Sequence, residues 1–322
     1  MNRRRIPDDV LAAAHDRARA REARDWLAAD RLRGEIEAAG WKVVDRGTDF
    51  ALSPAHAPDV EEGGRVRYGS STSVPSRLDE TAVGTATVVA IATDFPADLE
   101  RALGPLRDHA PDGTQVVVVA NDPSPEQAST LELLDARDPG GPGVATEVVW
   151  TSDRVGHATA LNAGIRRAEA PVIIWLDTSV EPGGDVVTPI VEALSDPSVA
   201  VAGAFGLVSA DLRRFRTAPP GDVDAIERAL LGFRRADYVE RGPLDEQFRF
   251  DRHLDVWWSL VLRDAGDDGQ PRRAVAVELP IERHEDRADE SLPAGERERL
   301  AKRNFYRVVQ RFGSRRTLLT SG

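Results

Sequence analysis

Residues 156–182 read GHATALNAGIRRAEAPVIIWLDTSVEP. Ala160, Leu161, Ala163, Gly164, Ile165 and Ala168 make a helix of small residues, and Pro171 ends it. Val172 to Leu176 are apolar without a break, as expected of a strand covered on both faces. Asp177 follows at the carboxyl end of that strand, where open α/β sheets bind their ligands. Asn162 lies on the first turns of the helix. The unit is loop, helix, buried strand and acidic turn.

The same texture extends upstream. Thr87 to Ala92 and Gln115 to Ala120 are apolar strands, the second ending in Asn121-Asp122-Pro123-Ser124. Helices are expected through Leu99, Leu103 and Leu106 and over residues 125–135, and a further strand over Thr146 to Trp150. Strands alternating with helices at this spacing argue an α/β class with a mostly parallel, doubly wound sheet. Downstream, Ala274 to Leu279 reads as a strand and residues 294–312 as a basic helix with Leu300, Phe305, Val308 and Val309 on it. That helix either docks on the fold or meets an anionic membrane surface peripherally. The expected organisation is a helical hairpin plus short strand over 1–54, a linker over 55–82, an α/β domain over 83–290 and the C-terminal helix over 291–322.

In the hairpin, Asp25 suits an N-cap, Trp26, Ala29, Leu32, Ile36 and Ala39 share a face, and Gly40 suits the C′ position. Arg17, Arg21, Arg24 and Arg31 are read either as a solvated face paired to acids or as an RNA-contacting stripe.

Composition removes several chemistries. The chain has no cysteine, which excludes disulfides, thiolate nucleophiles and Cys-ligated metals and fits a reducing cytoplasm. Lys42 and Lys302 are its only lysines and no GxxxxGK(S/T) occurs, so Schiff-base and P-loop chemistry are not expected. A net charge of −12 opposes broad nucleic-acid binding. The start, MNRRRIPDD, has no apolar core of a signal peptide, and no apolar run approaches the ~20 residues of a membrane span. A cytoplasmic protein without a transmembrane segment is expected.

Two resemblances follow from these residues. The run ARAREARDWLAADRLRGEIEAAGWKVVDRGTDFALSP resembles the C-terminal helical region of cysteinyl-tRNA synthetases, with Asp25, Trp26, Ala29, Asp30, Arg33 and Gly40 on the pattern. The synthetase HIGH and KMSKS motifs and zinc cysteines are absent, so the resemblance implies only a borrowed module with tRNA as one conceivable partner. Residues 83–284 resemble family 2 glycosyltransferases of the GT-A fold. Gly156, Ala158, Ala160, Asn162, Gly164, Ile165, Ala168, Leu176 and Asp177 match its "G.A.A.N.GI..A…LD" run. Phe233-Arg234-Arg235, Leu244 to Phe248 and HLDVWWSLVLRDAG follow in the family's order.

The resemblance implies an inverting enzyme that moves a sugar from a nucleotide-diphospho-sugar to an acceptor hydroxyl. Such chemistry needs cationic charge at the leaving diphosphate and a base for the hydroxyl. The family's "ED" pair falls on Leu254 and Asp255, making Asp255 the expected general base; the position also suits a helix cap. The family's DxD falls on Asp177-Thr178-Ser179, with Glu181 a possible substitute, so use of Mg or Mn is open. Asp177 and His284 are the expected metal ligands, and Arg283 or Arg287 the alternative support for the diphosphate. Thr93, Asp94, Asn121, Asp122, Arg154, Asn162 and Asp177 are expected around the donor, with the base read by Asn121 or Asp122. Trp257 and Trp258 either stack on a sugar or lie in the core. The alternative is a binding module that kept the fold and lost catalysis. Residues 205–243 are expected to cross the acceptor face.

Overall fold

The computed structural model describes residues 6–46, 49–92, 94–135, 144–264, 269–285, 287 and 292–320. The chain forms two compact units, Met1–Asp59 and Val60–Gly322.

The first unit packs α1 (Asp8–Glu22) and α2 (Trp26–Ala38) with an antiparallel pair, β1 (Trp41–Arg46) and β2 (Asp49–Pro54). Asp25 caps α2 by accepting from Ala28 N at 3.0 Å, and Gly40 leaves the helix at φ 77°. Val10, Ala14, Ile36, Trp41 and Val43 form its core. The arginines divide in a way that periodicity did not reveal. Arg17 is buried and donates to Asp45 through Nη1 (2.8 Å) and Nη2 (3.2 Å), and Arg21 pairs with the same carboxylate. The Arg17 hydrogen bond holds the Asp45 carboxyl below its ordinary pKa. Arg31 pairs with Glu35 one turn on, at 2.7 Å. Arg17, Arg21 and Arg31 thus serve this unit's own carboxylates. Trp26 and Leu27 remain exposed.

The second unit begins with β3 (Val60–Glu62) and β4 (Arg65–Tyr68). These residues were expected in a linker; instead β4 pairs with a later strand, and both extend the main sheet. There follow β5 (Ala86–Ala92), α3 (Pro96–His109), β6 (Thr114–Ala120), α4 (Pro125–Asp135), β7 (Ala145–Thr151), α5 (His157–Ile165) and β8 (Val172–Leu176). Next are β9 (Val180–Pro182), α6 (Val187–Ser195), β10 (Val199–Gly203), β11 (Gly206–Ser209), β12 (Phe215–Ala218), β13 (Gly221–Val223), β14 (Ala225–Ile226) and β15 (Leu230–Arg234). The unit closes with α7 (Arg235–Arg241), α8 (Leu254–Arg263), β16 (Arg273–Ala276), β17 (Ile281–Arg283) and α9 (Ala294–Phe312).

Among the described residues the main sheet runs β13-β16-β10-β15-β8-β5-β6-β7-β4-β3. β4 to β8 pair in parallel, with β15 antiparallel between β8 and β10. Both faces of the central strands are apolar because both are covered. In β6, Val117 and Val119 join the core beneath α5 and α8, while Val116 and Val118 join the opposite core with Leu99, Leu103 and Leu106 of α3. Residues 205–243 form the small sheet β12-β11-β14 together with β13, β15 and α7.

Gly164 lets α5 lie against the sheet. A Cβ there would stand 2.6 Å from Val89 Cγ1 and 2.8 Å from Val119 Cγ2, two stiff β-branched neighbours. Gly164→Ala is expected to lower stability by about 1–3 kcal/mol through overpacking, read as a fall in the urea midpoint at unchanged slope.

The apolar side of α9 is inside the fold: Ala301, Asn304, Val308 and Phe312 are buried. Arg307 reaches Asp245 at 3.3 Å, and the Arg311 guanidinium lies 4.9 Å from the Trp257 ring centre. The helix is therefore docked on the fold, with Tyr306 exposed on its outer side. No described helix is long and apolar enough to cross a membrane.

Candidate active site

The carboxyl ends of β5, β6 and β7 form one side of the site. Asn121 ends β6 with its amide turned to structural use: Oδ1 accepts from Val155 N (2.9 Å) and Nδ2 donates to Val155 O (3.1 Å). Asp122 follows with an exposed side chain and a left-handed backbone, φ 50°. Arg154 ties the rim together, donating to both oxygens of Asp94 (3.0 and 2.9 Å) and to the carbonyl of Asp122 (3.2 Å). Thr93 lies outside the described residues.

Asp177 follows β8. Its Oδ1 accepts from Ser179 N (2.9 Å) and Ser179 Oγ (2.6 Å), so the serine in place of a second acid turns inward and braces the first. Its Oδ2 accepts from Arg228 Nη1 at 2.7 Å. The same Nη1 lies 2.8 Å from Asp251 Oδ2 as an ion pair without hydrogen-bond geometry, and Asp251 Oδ1 has no hydrogen-bond partner among the described residues. The backbone N of Arg228 donates to Asp255 Oδ2 at 3.1 Å. One arginine thus touches Asp177, Asp251 and Asp255. Topology brings it there. β15 runs antiparallel to β8 with Leu230 opposite Leu176, so the residues entering β15 lie beside those leaving β8. Asp177 N donates to Ala229 O across that join.

Asp255 is the second residue of α8, not its cap; the capping position is His253, left-handed at φ 71°. Its Oδ1 accepts from Val256 N at 2.7 Å. Burial pushes the carboxyl up to about 6, against the lowering effects of that hydrogen bond and of Arg228. The loop before it is held from α9. Buried Asn304 donates from Nδ2 to the carbonyls of Phe250 and Arg252, both at 2.9 Å, on either side of Asp251.

His284 pairs with β9 rather than with Asp177. Its backbone N donates to Ser179 O, and Nε2 lies 2.8 Å from Glu181 Oε2. β17 is antiparallel to β9 with Glu282 opposite Glu181. Glu181, Glu282 and His284 bring three ligand atoms within 4.8 Å of one another, the donor types of a divalent-cation site. Asp177 lies outside that trio, its two oxygens accepting from Ser179 and from Arg228. Arg283 is paired with Glu227 and Arg287 with Asp98, so the diphosphate supports expected there are engaged with carboxylates.

Asn162, expected at the donor, is buried and fully bonded. Nδ2 donates to Leu244 O (2.9 Å) and Glu246 Oε1 (3.1 Å); Oδ1 accepts from Tyr238 Oη (2.9 Å) and Leu244 N (3.0 Å). It pins α5 to the 244–246 turn. Trp257 and Trp258 are core residues, packed on Phe248 and Phe312 and on Phe233 and Tyr238. Sequence reasoning missed Arg228, Asp251, Glu282 and Asn304. Two of them carried a local signal: Glu282 in β17 stands two residues before His284, and Asp251 precedes Asp255 by four. Arg228 and Asn304 carried none.

Residues 88–246 match the family model for glycosyl transferase family 2. The second unit has the GT-A fold, and the stretch that matches the glycosyl transferase family 2 model lies within it. Among solved structures, GalNAc-T7 with UDP, GalNAc and Mn2+ is similar at TM-score 0.55 and 15% identity, over 72% of this chain and 48% of that one. The mannosyltransferase PcManGT from Pyrobaculum calidifontis, in complex with GDP-Man and Mn2+, gives TM-score 0.44 and 18% identity over 64% of this chain and 57% of its own. A 50-residue stretch is 46% identical to the cysteine–tRNA ligase of Opitutus terrae (strain DSM 11246 / JCM 15787 / PB90-1), covering 16% of this chain and 11% of the ligase. The chain therefore spans about half of the first structural relative and about a tenth of the ligase.

Proposed function

We propose that the second unit transfers a sugar from a nucleotide-diphospho-sugar to an acceptor hydroxyl with inversion, Asp255 serving as general base. The observation that carries this reading is a buried carboxyl with its pKa pushed up to about 6, tied through Arg228 to the acidic turn after β8. In the step proposed, the acceptor hydroxyl gives its proton to Asp255 as its oxygen bonds the anomeric carbon. The bond from that carbon to the diphosphate breaks, and the diphosphate leaves with the electron pair. Asp94, Asp122 and Arg154, at the ends of β5, β6 and β7, are assigned to the nucleotide.

A divalent cation, Mg or Mn, would be held by Glu181, Glu282 and His284 and would offset charge on the leaving diphosphate. The acidity of the site supports a cation: Asp177 and Asp251 share the single charge of Arg228, so the turn keeps net negative charge that repels a diphosphate unless further positive charge accompanies it. His284→Ala is expected to weaken Mn2+ binding by about tenfold or more, followed by Mn2+ electron paramagnetic resonance on the full chain.

The test of the reading is calorimetry and turnover with UDP-, GDP- and TDP-sugars, each with and without Mn2+. Failure of every donor to bind would overturn it. Binding without transfer to any acceptor would favour a non-catalytic module. One observation supports that second reading: Leu254, where the family pattern has an acid, is fully buried.

A further inference from the structure

Asp177 and Asp251 are both buried carboxylates, and buried like charges need a cation between them. The cation present is a side chain. Arg228 Nη1 is 2.7 Å from Asp177 Oδ2 and 2.8 Å from Asp251 Oδ2, and only 16% of its side chain is exposed. Its position is set twice over: the pairing of β15 with β8 delivers it to the turn, and its backbone N is held by Asp255. Ser179 completes the arrangement by donating to Asp177 rather than offering a second acid.

We infer that Arg228 is the resident cation of this acidic turn. It occupies the place between Asp177 and Asp251 that a divalent ion would otherwise take, and Asp177 is therefore not a metal ligand in this protein. A guanidinium suits the position: it stays charged at every working pH, it offers several N–H donors in a fixed plane, and it is more weakly hydrated than an ammonium. The consequence is that the charge at the turn does not vary with metal supply, whatever is bound at Glu181, Glu282 and His284. The inference deepens the transferase reading but does not stand or fall with it, because its test needs no turnover.

The test is titration of the full chain with Mn2+ alone, followed by electron paramagnetic resonance. Asp177→Asn is expected to leave the Mn2+ isotherm within about twofold of the unaltered chain, since a side chain that is not a ligand contributes nothing. Arg228→Ala is expected to gain one bound Mn2+ per chain, and Arg228→Ala/Asp177→Asn to lose that gain. Arg228→Lys, which keeps the charge, is expected to gain none, which separates charge replacement from mere loosening of the fold. A tenfold or greater weakening of Mn2+ binding by Asp177→Asn would overturn the inference on its own, even if Arg228→Ala does not fold. So would a folded Arg228→Ala chain with no added ion.

Discussion

Asp255→Asn is expected to lower the rate of sugar transfer by about 10²–10⁴-fold, the range that a positioned general base supplies, while nucleotide affinity is retained. Asparagine is close in shape, but its single oxygen replaces only one of the two carboxylate oxygens that accept separately from Val256 N and Arg228 N, so its NH2 faces the other N–H and some loss of local hydrogen bonding accompanies the change. What it cannot do is take the acceptor's proton. The pH profile gives an independent reading. A base works in its ionised form, so with a carboxyl pushed up to about 6 the rate should fall as pH drops through about 6, and the limb should vanish in the residual activity of the variant.

Stability should move the other way. A carboxyl whose folded pKa lies above the ordinary value binds more protons folded than unfolded between about pH 4 and pH 6. Stability therefore declines as pH rises through that window, and the ionised group opposes folding at neutral pH. The urea midpoint of the unaltered chain is expected to fall from about pH 4 to about pH 7 by the contribution of this carboxyl, and that part of the pH dependence should be missing in Asp255→Asn. A variant that kept the acidic limb of the pH–rate profile would argue that Asp255 is structural.

Asn162→Ala is expected to have the largest effect on stability, about 3–5 kcal/mol, because several buried polar groups lose their partner together. Tyr238 Oη, Leu244 N and Leu244 O all bond to this one amide. Urea denaturation measures the loss, and nucleotide affinity of the folded fraction should be unchanged. Weakened nucleotide binding at full stability would instead return Asn162 to the donor site. The prediction separates two meanings of one residue. It belongs to the run that identifies the fold, yet it serves that run by holding α5 to the 244–246 turn.

The site was legible in part, and the division has a physical basis. Asp94, Asp122 and Asp177 were expected at strand ends from local pattern, Arg154 and Asp255 through the resemblance, and the structure sets them after β5, β6, β8 and β7 and in the first turn of α8. Asn121 shows the limit of that method. Its place at the end of β6 was right, but its amide faces inward and bonds Val155, which leaves Asp122 as the exposed group there. His284 was singled out through the resemblance, whereas Glu282, two residues back in β17, was overlooked although the structure brings both beside Glu181. The arginines of the first unit went the same way: spacing set Arg17 on a helix, and only its distant partner Asp45 decided that it would be buried.

By itself the sequence determined the order of strands and helices, the double burial of β5, β6 and β8, and the placing of carboxylates at strand ends. Those properties depend on periods of two and 3.6 residues and on Gly and Pro stops, all within a few residues of each other. The tertiary structure alone decided what those carboxylates meet. Arg228 reaches Asp177 across 51 residues, Asn304 reaches Arg252 across 52, and His284 reaches Glu181 across 103. Such partners follow from strand order, and above all from β15 entering antiparallel beside β8. No local pattern encodes that choice, because it depends on which strands pair once the whole sheet is assembled.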